Sequence, residues 1–409
     1  MPDSSVVIVG AGQGGFQLAA SLRQNGHAGR IILVGEEPGV PYQRPPLSKA
    51  YLKGDLDLER LSLRPEAFYR DQAVELVAGL RVEEIERAER RVRLADGRRL
   101  RYEHLVLATG ARNRPLAIPG AELDGVVHLR TVVDAVRLRE RLDGAQDVVV
   151  IGAGFIGLEF AAVAAAKGKG VQVVELANRP MARAVTPAIS GYFAAWHAAA
   201  GVQLHHGVTP RRILGHGGRI AGVELADGRT LRADLVLVGI GVLPCTELAQ
   251  AAGLDCANGI VVDDRLRTED PAISAIGDCA NFPSRHASGG VRLESVQNAV
   301  DQARCVAARL AGTDKSYDGV PWFWSDQGDQ KLQMVGICTG HDLAVVRGRP
   351  SDGRFSVFCF SAGRLIGIES VNQPTEHMVG RKLLAIGGGE LTPDQAADES
   401  FDLKRCVAA

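Results

Sequence analysis

The sequence predicts an α/β fold in which two similar lobes of parallel sheet and helix are followed by a smaller α+β domain. Three observations predict it. A strand–glycine–helix motif occurs twice, each copy is followed by a second strand closed by an acidic residue, and a hairpin-plus-strand segment further along is duplicated as well. At 409 residues the chain has room for about three domains with ample core in each.

The first motif reads VVIVGAGQGGFQLA (Val6 to Ala19), and its copy, 142 positions later, reads VVVIGAGFIGLEFA (Val148 to Ala161). In each, four apolar, mostly β-branched residues predict a buried parallel strand, and three spaced glycines then turn the chain into a helix. The first glycine (Gly10, Gly152) permits the tight turn. The second (Gly12, Gly154) lets backbone amides approach a pyrophosphate, and the third (Gly15, Gly157) lets the helix pack closely on the strand. A phosphate then sits at the helix N-terminus, held by unpaired N–H groups and the positive end of the helix dipole. The next strand of each lobe, IILVGE ending at Glu36 and VQVVE ending at Glu175, supplies a carboxylate close to the offset of about 20 residues at which it accepts the ribose hydroxyls of an adenosine.

The segment LADGRRLRYEHLVLATGA (Leu94 to Ala111) is echoed by LADGRTLRADLVLVGIGV (Leu225 to Val242), each a D-G hairpin turn feeding a buried strand that ends in glycine. These repeats define two Rossmann-like dinucleotide-binding domains. Two dinucleotides in one protein point to a redox relay between a bound flavin and a diffusible nicotinamide.

Charge is nearly balanced, with 47 Lys and Arg against 48 Asp and Glu, so bulk electrostatics favour neither nucleic acid nor an anionic membrane. The basic run ERRVRLADGRRLR (Glu89 to Arg101) alternates charge with Val and Leu across a D-G turn and reads as a solvated hairpin face. The first strand begins by residue 6, which leaves no room for a secretory leader, and no apolar run approaches the roughly 18 residues of a membrane span. The expectation is a soluble cytoplasmic protein with no membrane partner. Seven cysteines (Cys245, Cys256, Cys279, Cys305, Cys338, Cys359, Cys406) form no CxxC and no pair with redox spacing, and read as reduced thiols. His205 and His206 are adjacent on a predicted strand and so point to opposite faces; no metal is expected.

The motifs VVIVGAGQGG, PYQRPPLSK, LVLATGARNRP, VVVIGAGFIGLEFAA, LVLVGIGVLP, TEDPAISAIGDCA, ESVQNA and WFWSDQ together carry a resemblance. The chain resembles the FAD-dependent, NADH-using ferredoxin reductases of bacterial oxygenase systems, the group of putidaredoxin reductase and the aromatic-ring dioxygenase reductases. The resemblance implies a glutathione-reductase-like flavoprotein with two dinucleotide sites and noncovalent FAD. Its domains would be a discontinuous FAD-binding domain (1–112 and 244–320), an inserted NAD-binding domain (113–243) and a C-terminal α+β domain (321–409). It assigns Glu36 to the FAD adenosine ribose, Arg44 and Lys49 to the flavin side, and Thr109 and Gly110 to closing over FAD. Arg130, in HLRT, would contact the cofactor, and Asp278, in AIGDCA, its ribitol or pyrophosphate region; a helix N-cap is the ordinary structural reading of that aspartate. Gly154, Ile156, Gly157 and Glu175 would serve NADH, with Glu159 on the first turn of that helix near the nicotinamide. Two-lobe enzymes that reduce disulfides carry a cysteine pair beside the flavin, and peroxide reductases of this kind a single cysteine near position 45. Here that stretch reads PYQRPPLSK, and neither chemistry is expected.

The resemblance further implies hydride transfer from NADH to flavin N5, which needs stacking and alignment of two rings. The helix starting near Ser295, with Val296 among its first residues, would offer the positive end of its dipole to the reduced flavin. Lys49 would add a full charge, exchanging partners with Glu159. Trp322 and Trp324 would shield the flavin or line an electron exit, or else fill a domain junction. The expected acceptor is a [2Fe-2S] ferredoxin serving a monooxygenase or dioxygenase, docking on a local basic patch for which Arg285, Arg304, Arg309 and Lys331 are candidates, on a monomer or weak dimer. Two other readings stand beside it. A membrane-associated quinone-reducing NADH dehydrogenase is disfavoured by the acidic, weakly amphipathic tail GGGELTPDQAADESFDLKRCVAA, and a redox-sensing interaction protein would retain both nucleotides without turnover.

Overall fold

Residues 5–407 are described in the computed structural model, and the chain forms two units. The first comprises Met1–Gln43, Leu58–Arg112 and Leu243–Pro321; the second comprises Arg44–Asp57, Asn113–Val242 and Trp322–Ala409.

In the first unit, Val6–Val9 is the central strand of a five-stranded parallel sheet. The order is Ile273–Ala275, His104–Leu107, Val6–Val9, Ile31–Gly35, Val74–Ala78. Val6 lies opposite Ile31 on one side and His104 on the other. A parallel sheet covered on both faces favours continuous β-branched runs over alternation, and every residue of Val6–Val9 and Ile31–Gly35 is buried. The helices Gln13–Gln24 and Val296–Leu310 pack against each other. The basic run forms the strands Arg91–Leu94 and Arg99–Arg101, the first of them pairing antiparallel with the preceding strand Val82–Glu86. Val92, Leu94 and Leu100 face the core, while Arg93 pairs with Glu83 (2.6 Å) and Glu84 (3.0 Å) on the exposed face. Arg90, Arg98 and Arg99 likewise pair with Glu103, Asp96 and Glu86, as suits a solvated hairpin.

The second unit repeats the plan strand for strand. Its parallel sheet runs Gln203–His206, Gly170–Glu175, Asp147–Ile151, Leu235–Val238, Val126–Val127. The glycine-motif strand is again flanked by the acid-bearing strand and by the strand that comes after the D-G hairpin, here Pro210–His216, Arg219–Leu225 and Thr230–Arg232. The same unit carries a five-stranded antiparallel sheet, ordered Trp322–Gln327, Gln330–Gly336, Arg364–Val371, Arg354–Ser361, Leu343–Arg349, with the helix Pro374–Ala385 packed on it. The segment Arg44–Asp57, assigned by the sequence reading to the FAD-binding domain, groups with this second unit. The cause is local: the Arg139 guanidinium lies 5.3 Å over the Tyr51 ring, and Ser48 and Lys49 bond to a carboxylate on the helix Phe155–Ala166. Among the described residues no helix is long and apolar enough to cross a membrane.

Candidate functional site

The first glycine motif builds a cradle that side chains would fill. Gly10 has φ +112°, and a Cβ there would lie 2.1 Å from the Ala108 carbonyl oxygen; a Cβ on Gly15 would lie 1.9 Å from the Gly10 oxygen. Gly12 is the opposite case, with nothing within 4 Å of its would-be Cβ. The helix Gln13–Gln24 has no side-chain cap, so its first N–H groups are left to a ligand in that open space. This cradle fits the pyrophosphate of a dinucleotide. Glu36 directly follows the strand Ile31–Gly35 and is exposed.

Thr109 and Gly110 close the unit where the chain leaves it and returns. The Thr109 hydroxyl donates to the Cys245 carbonyl (2.7 Å), and the Cys245 N–H donates to the Gly110 carbonyl (2.9 Å). Asp278 lies in the short 3-10 turn Gly277–Cys279, which runs directly into the strand Ala280–Pro283. Its alternative reading as an α-helix N-cap is therefore corrected: no α-helix comes after it. Val296 opens the helix Val296–Leu310, whose cap is Ser295, its hydroxyl accepting from the Asn298 N–H at 3.1 Å.

The second cradle repeats the first. Gly152 has φ +104° with its would-be Cβ 2.4 Å from the Gly239 oxygen, Gly157 stands 2.2 Å from the Gly152 oxygen by the same measure, and Gly154 has nothing within 4 Å. The helix Phe155–Ala166 also lacks a side-chain cap, and Ile156 on its first turn is 39% exposed. Glu175 is aimed at this loop, its carboxylate accepting from the N–H groups of Ala153 (2.7 Å) and Ala177 (2.8 Å). Arg179 is committed elsewhere, donating to the carbonyls of Val185 and Ala182 at 2.9 Å each, whereas Arg183 is exposed.

The unit also contains a buried ion pair. Lys49 Nζ lies 3.0 Å from Glu159 Oε1, with the side chains 16% and 4% exposed. Two hydroxyls complete the carboxylate's shell, Ser48 donating to Oε2 (2.6 Å) and Ser325 to Oε1 (2.7 Å). Burial pushes the Glu159 carboxyl above the ordinary range, against the pull of the Lys49 ammonium and the two serines. Glu159 is the fifth residue of the helix Phe155–Ala166, so it stands on the second turn rather than the first. The sequence reading missed Ser48 and Ser325, although both lie inside quoted motifs; the signal available was Ser48 beside Lys49 in PPLSK.

Nearby in the same unit, an Arg44 N–H donates to the Arg130 carbonyl at 2.5 Å, and the Arg130 N–H donates to Asp134 at 3.0 Å beside the capping box of the helix Val132–Gly144. Trp324 belongs to an aromatic row: Trp322 and Trp324 have ring centroids 5.6 Å apart, Phe323 and Trp324 6.4 Å, and Phe323 and Phe155 4.7 Å.

One docking candidate is corrected. The Arg309 guanidinium is turned into the first unit, where it donates to the Ser274 hydroxyl (2.7 Å) and lies 3.5 Å from His104 Nε2. Burial, with this cation beside it, lowers His104 to about 3 and keeps it neutral. Arg304 and Lys331 are exposed, and Arg285, also exposed, pairs with Asp318 at 2.8 Å. Among the thiols, Cys338 and Cys359 meet although far apart in sequence. Its hydrogen bond with Cys359, burial and the Glu369 carboxyl all push the Cys338 thiol up, which disfavours thiolate chemistry.

One chain holding two uncapped phosphate cradles, each with an acid at the end of the next strand and the second with Glu175 bonded to its glycine loop, has the plan of a two-dinucleotide oxidoreductase. The sequence model of the Pyridine nucleotide-disulphide oxidoreductase family matches residues 4–303, and that of the Reductase C-terminal region matches residues 322–407. The chain belongs to this oxidoreductase family, and its relatives within it include ferredoxin reductases and rubredoxin reductases. It is 54% identical to the rhodocoxin reductase of Rhodococcus erythropolis over 404 residues, 99% of this chain and 94% of the relative. The crystal structure of the ferredoxin reductase for the CYP199A2 system from Rhodopseudomonas palustris is 56% identical with a TM-score of 0.97, covering 99% of this chain and 100% of that one. Putidaredoxin reductase, in its covalent complex with putidaredoxin, is 40% identical with a TM-score of 0.96, covering 99% of this chain and 98% of that one.

Proposed function

We propose that this chain is an FAD-dependent NADH:ferredoxin oxidoreductase that takes hydride from NADH and passes electrons singly to a [2Fe-2S] ferredoxin serving a monooxygenase or dioxygenase. The observation that carries this reading is the duplicated, uncapped cradle with its strand-end acid, which suits one resident and one exchanging dinucleotide. The ferredoxin acceptor is supported by relatives that are named ferredoxin reductases. FAD, when bound, accepts a hydride and releases its two electrons one at a time.

The chain's own residues hold and orient. Gly10, Gly12 and Gly15 receive the FAD pyrophosphate, Glu36 its ribose, and Thr109, Gly110, Asp278 and Val296 complete that lobe, taken as 1–112 with 244–320. Gly152, Gly154, Ile156, Gly157 and Glu175 receive NADH on residues 113–243, and residues 321–409 form the third domain. Glu159 keeps the Lys49 ammonium in place; the roles of Arg44, Lys49, Arg130 and Trp324 toward the flavin rest on the resemblance. A cytoplasmic location belongs to the same reading. NADH-driven cytochrome c reduction, run with each ferredoxin encoded in the same genome, tests the acceptor. One ferredoxin far ahead of the rest supports the reading, and a short-chain quinone that outruns every ferredoxin favours the quinone alternative.

NADH should be preferred over NADPH. A 2′-phosphate about 4 Å from the Glu175 carboxylate meets roughly 1 to 4 kcal/mol of repulsion. Arg179, tied to two carbonyls, does not offset it. Catalytic efficiency should fall by about fivefold or more with NADPH; equal efficiencies would show that Glu175 does not face the ribose.

Ferredoxin turnover should weaken as salt rises, because rim charges are screened beyond about 8 Å at physiological ionic strength. Arg304→Glu should raise the KM for ferredoxin several-fold and leave ferricyanide reduction unchanged. Arg309→Glu should behave differently, lowering the melting temperature and all activities together, because it puts a carboxylate against Ser274 inside the fold. Salt-independent turnover with an unchanged KM in Arg304→Glu would move docking to an apolar surface, with Trp324 the next residue to replace.

A further inference from the structure

We infer that Gln302 and Arg292 are positioning residues for flavin binding, clamping the Asp278 turn from its two sides. The inference rests on the assignment of Asp278 to FAD. The turn Gly277–Cys279 begins with Gly277 at φ +75°, a left-handed backbone that glycine adopts without strain but whose wide conformational freedom leaves the turn to be held by outside support. That support comes first from the helix Val296–Leu310. Gln302, fully buried on it, places Oε1 2.7 Å from the Gly277 N–H as acceptor.

The orientation of this amide is fixed, since only its oxygen can face an N–H donor. Its Nε2 has no hydrogen-bond partner among the described residues. An apolar side chain of similar length would fill the same space without burying an unpaired donor, so the bond to Gly277 is what accounts for a glutamine here.

The second clamp is Arg292, 9% exposed, which donates to the Asp278 carbonyl at 3.0 Å. Its guanidinium is itself held, by Glu294 at 2.7 Å and Asn258 at 3.4 Å. The Cys279 thiol anchors the end of the turn on the carbonyls of Ile276 (3.3 Å) and Leu107 (3.6 Å). Asp278 is thus presented on a backbone ordered before any ligand arrives, which lowers the ordering cost of binding. Neither Gln302 nor Arg292 is required to touch the cofactor.

A double-mutant cycle on FAD release separates positioning from general stability. Holoprotein is prepared as wild type, Gln302→Met, Asp278→Ala and the double variant, each reconstituted with FAD, and release on dilution is followed by recovery of flavin fluorescence. Gln302→Met should speed release about tenfold in the wild-type background, the size of one lost hydrogen bond, and less than about twofold in the Asp278→Ala background. Equal acceleration in both backgrounds would overturn the clamp and leave the Asp278 assignment standing. Unchanged release in Asp278→Ala alone would overturn that assignment and the clamp with it. Should Gln302→Met fail to fold, Arg292→Met runs the same cycle from the carbonyl side.

Discussion

Lys49→Met should lower the stability of the holoprotein by about 3 to 5 kcal/mol near pH 8 and by clearly less near pH 5. Removing one member of a buried pair leaves the other charge uncompensated, and Glu159 is 4% exposed with only the hydroxyls of Ser48 and Ser325 left to serve it. Its pKa is already raised in the folded protein by burial. A carboxyl with a raised folded pKa contributes stability that is fully present below its unfolded value, about 4.3, and is lost as pH rises through the folded value. Deleting the Lys49 ammonium removes the largest force holding that value down, so the window of loss widens upward. Near pH 5 the variant's Glu159 takes up a proton and the penalty shrinks. Urea unfolding at the two pH values measures this; a loss that is the same at both, or below about 1 kcal/mol, would mean that the pair is solvated and contributes little.

Gly154→Val should raise the KM for NADH by about 100-fold, roughly 2.7 kcal/mol, while FAD content and melting temperature stay near wild type. The fold is indifferent to a side chain there, because no atom lies within 4 Å of its would-be Cβ. The branched side chain instead occupies the space in front of the uncapped Phe155–Ala166 helix, where a pyrophosphate must approach the backbone. Gly152→Ala makes the contrast. At φ +104°, with a Cβ 2.4 Å from the Gly239 carbonyl, it should disturb the fold itself. Steady-state kinetics and a thermal melt separate the two, and an unchanged KM in Gly154→Val would place the NADH pyrophosphate elsewhere.

The parts that sequence reveals are those whose physics is local. Strand, glycine turn, helix start and strand-end acid lie within about thirty residues of one another, and the first and third glycines of the turn exclude other residue types on steric grounds. Both glycine turns were therefore legible, including the second glycine left open for a pyrophosphate, while the carbonyls that the first and third glycines meet came only with the structure. The Glu159 site was only partly legible, because its hydroxyl donors stand 111 and 166 positions away and no periodicity links them. Arg309 was misread for a related reason. A helix pattern marks a charged residue as facing outward, but a long side chain near a helix end can turn inward when a buried serine and a neutral histidine accept it. Asp278 shows the limit of the capping rule: glycine and aspartate announce a turn, and the turn here leads into a strand. Cys338 and Cys359 meet in the same way, one just past the strand Gln330–Gly336 and the other within Arg354–Ser361, a contact that no linear spacing announces.

The proposed reaction splits a two-electron donor between two one-electron acceptors, which fixes its stoichiometry. Under anaerobic conditions the holoprotein is mixed with limiting NADH and an excess of an oxidised [2Fe-2S] ferredoxin from the same genome, and nicotinamide oxidation and iron–sulfur bleaching are followed together. Two ferredoxins should be reduced for each NADH consumed, and none when the protein has been stripped of FAD. NADH oxidation without ferredoxin reduction, or ferredoxin reduction at the same rate in FAD-free protein, would contradict it.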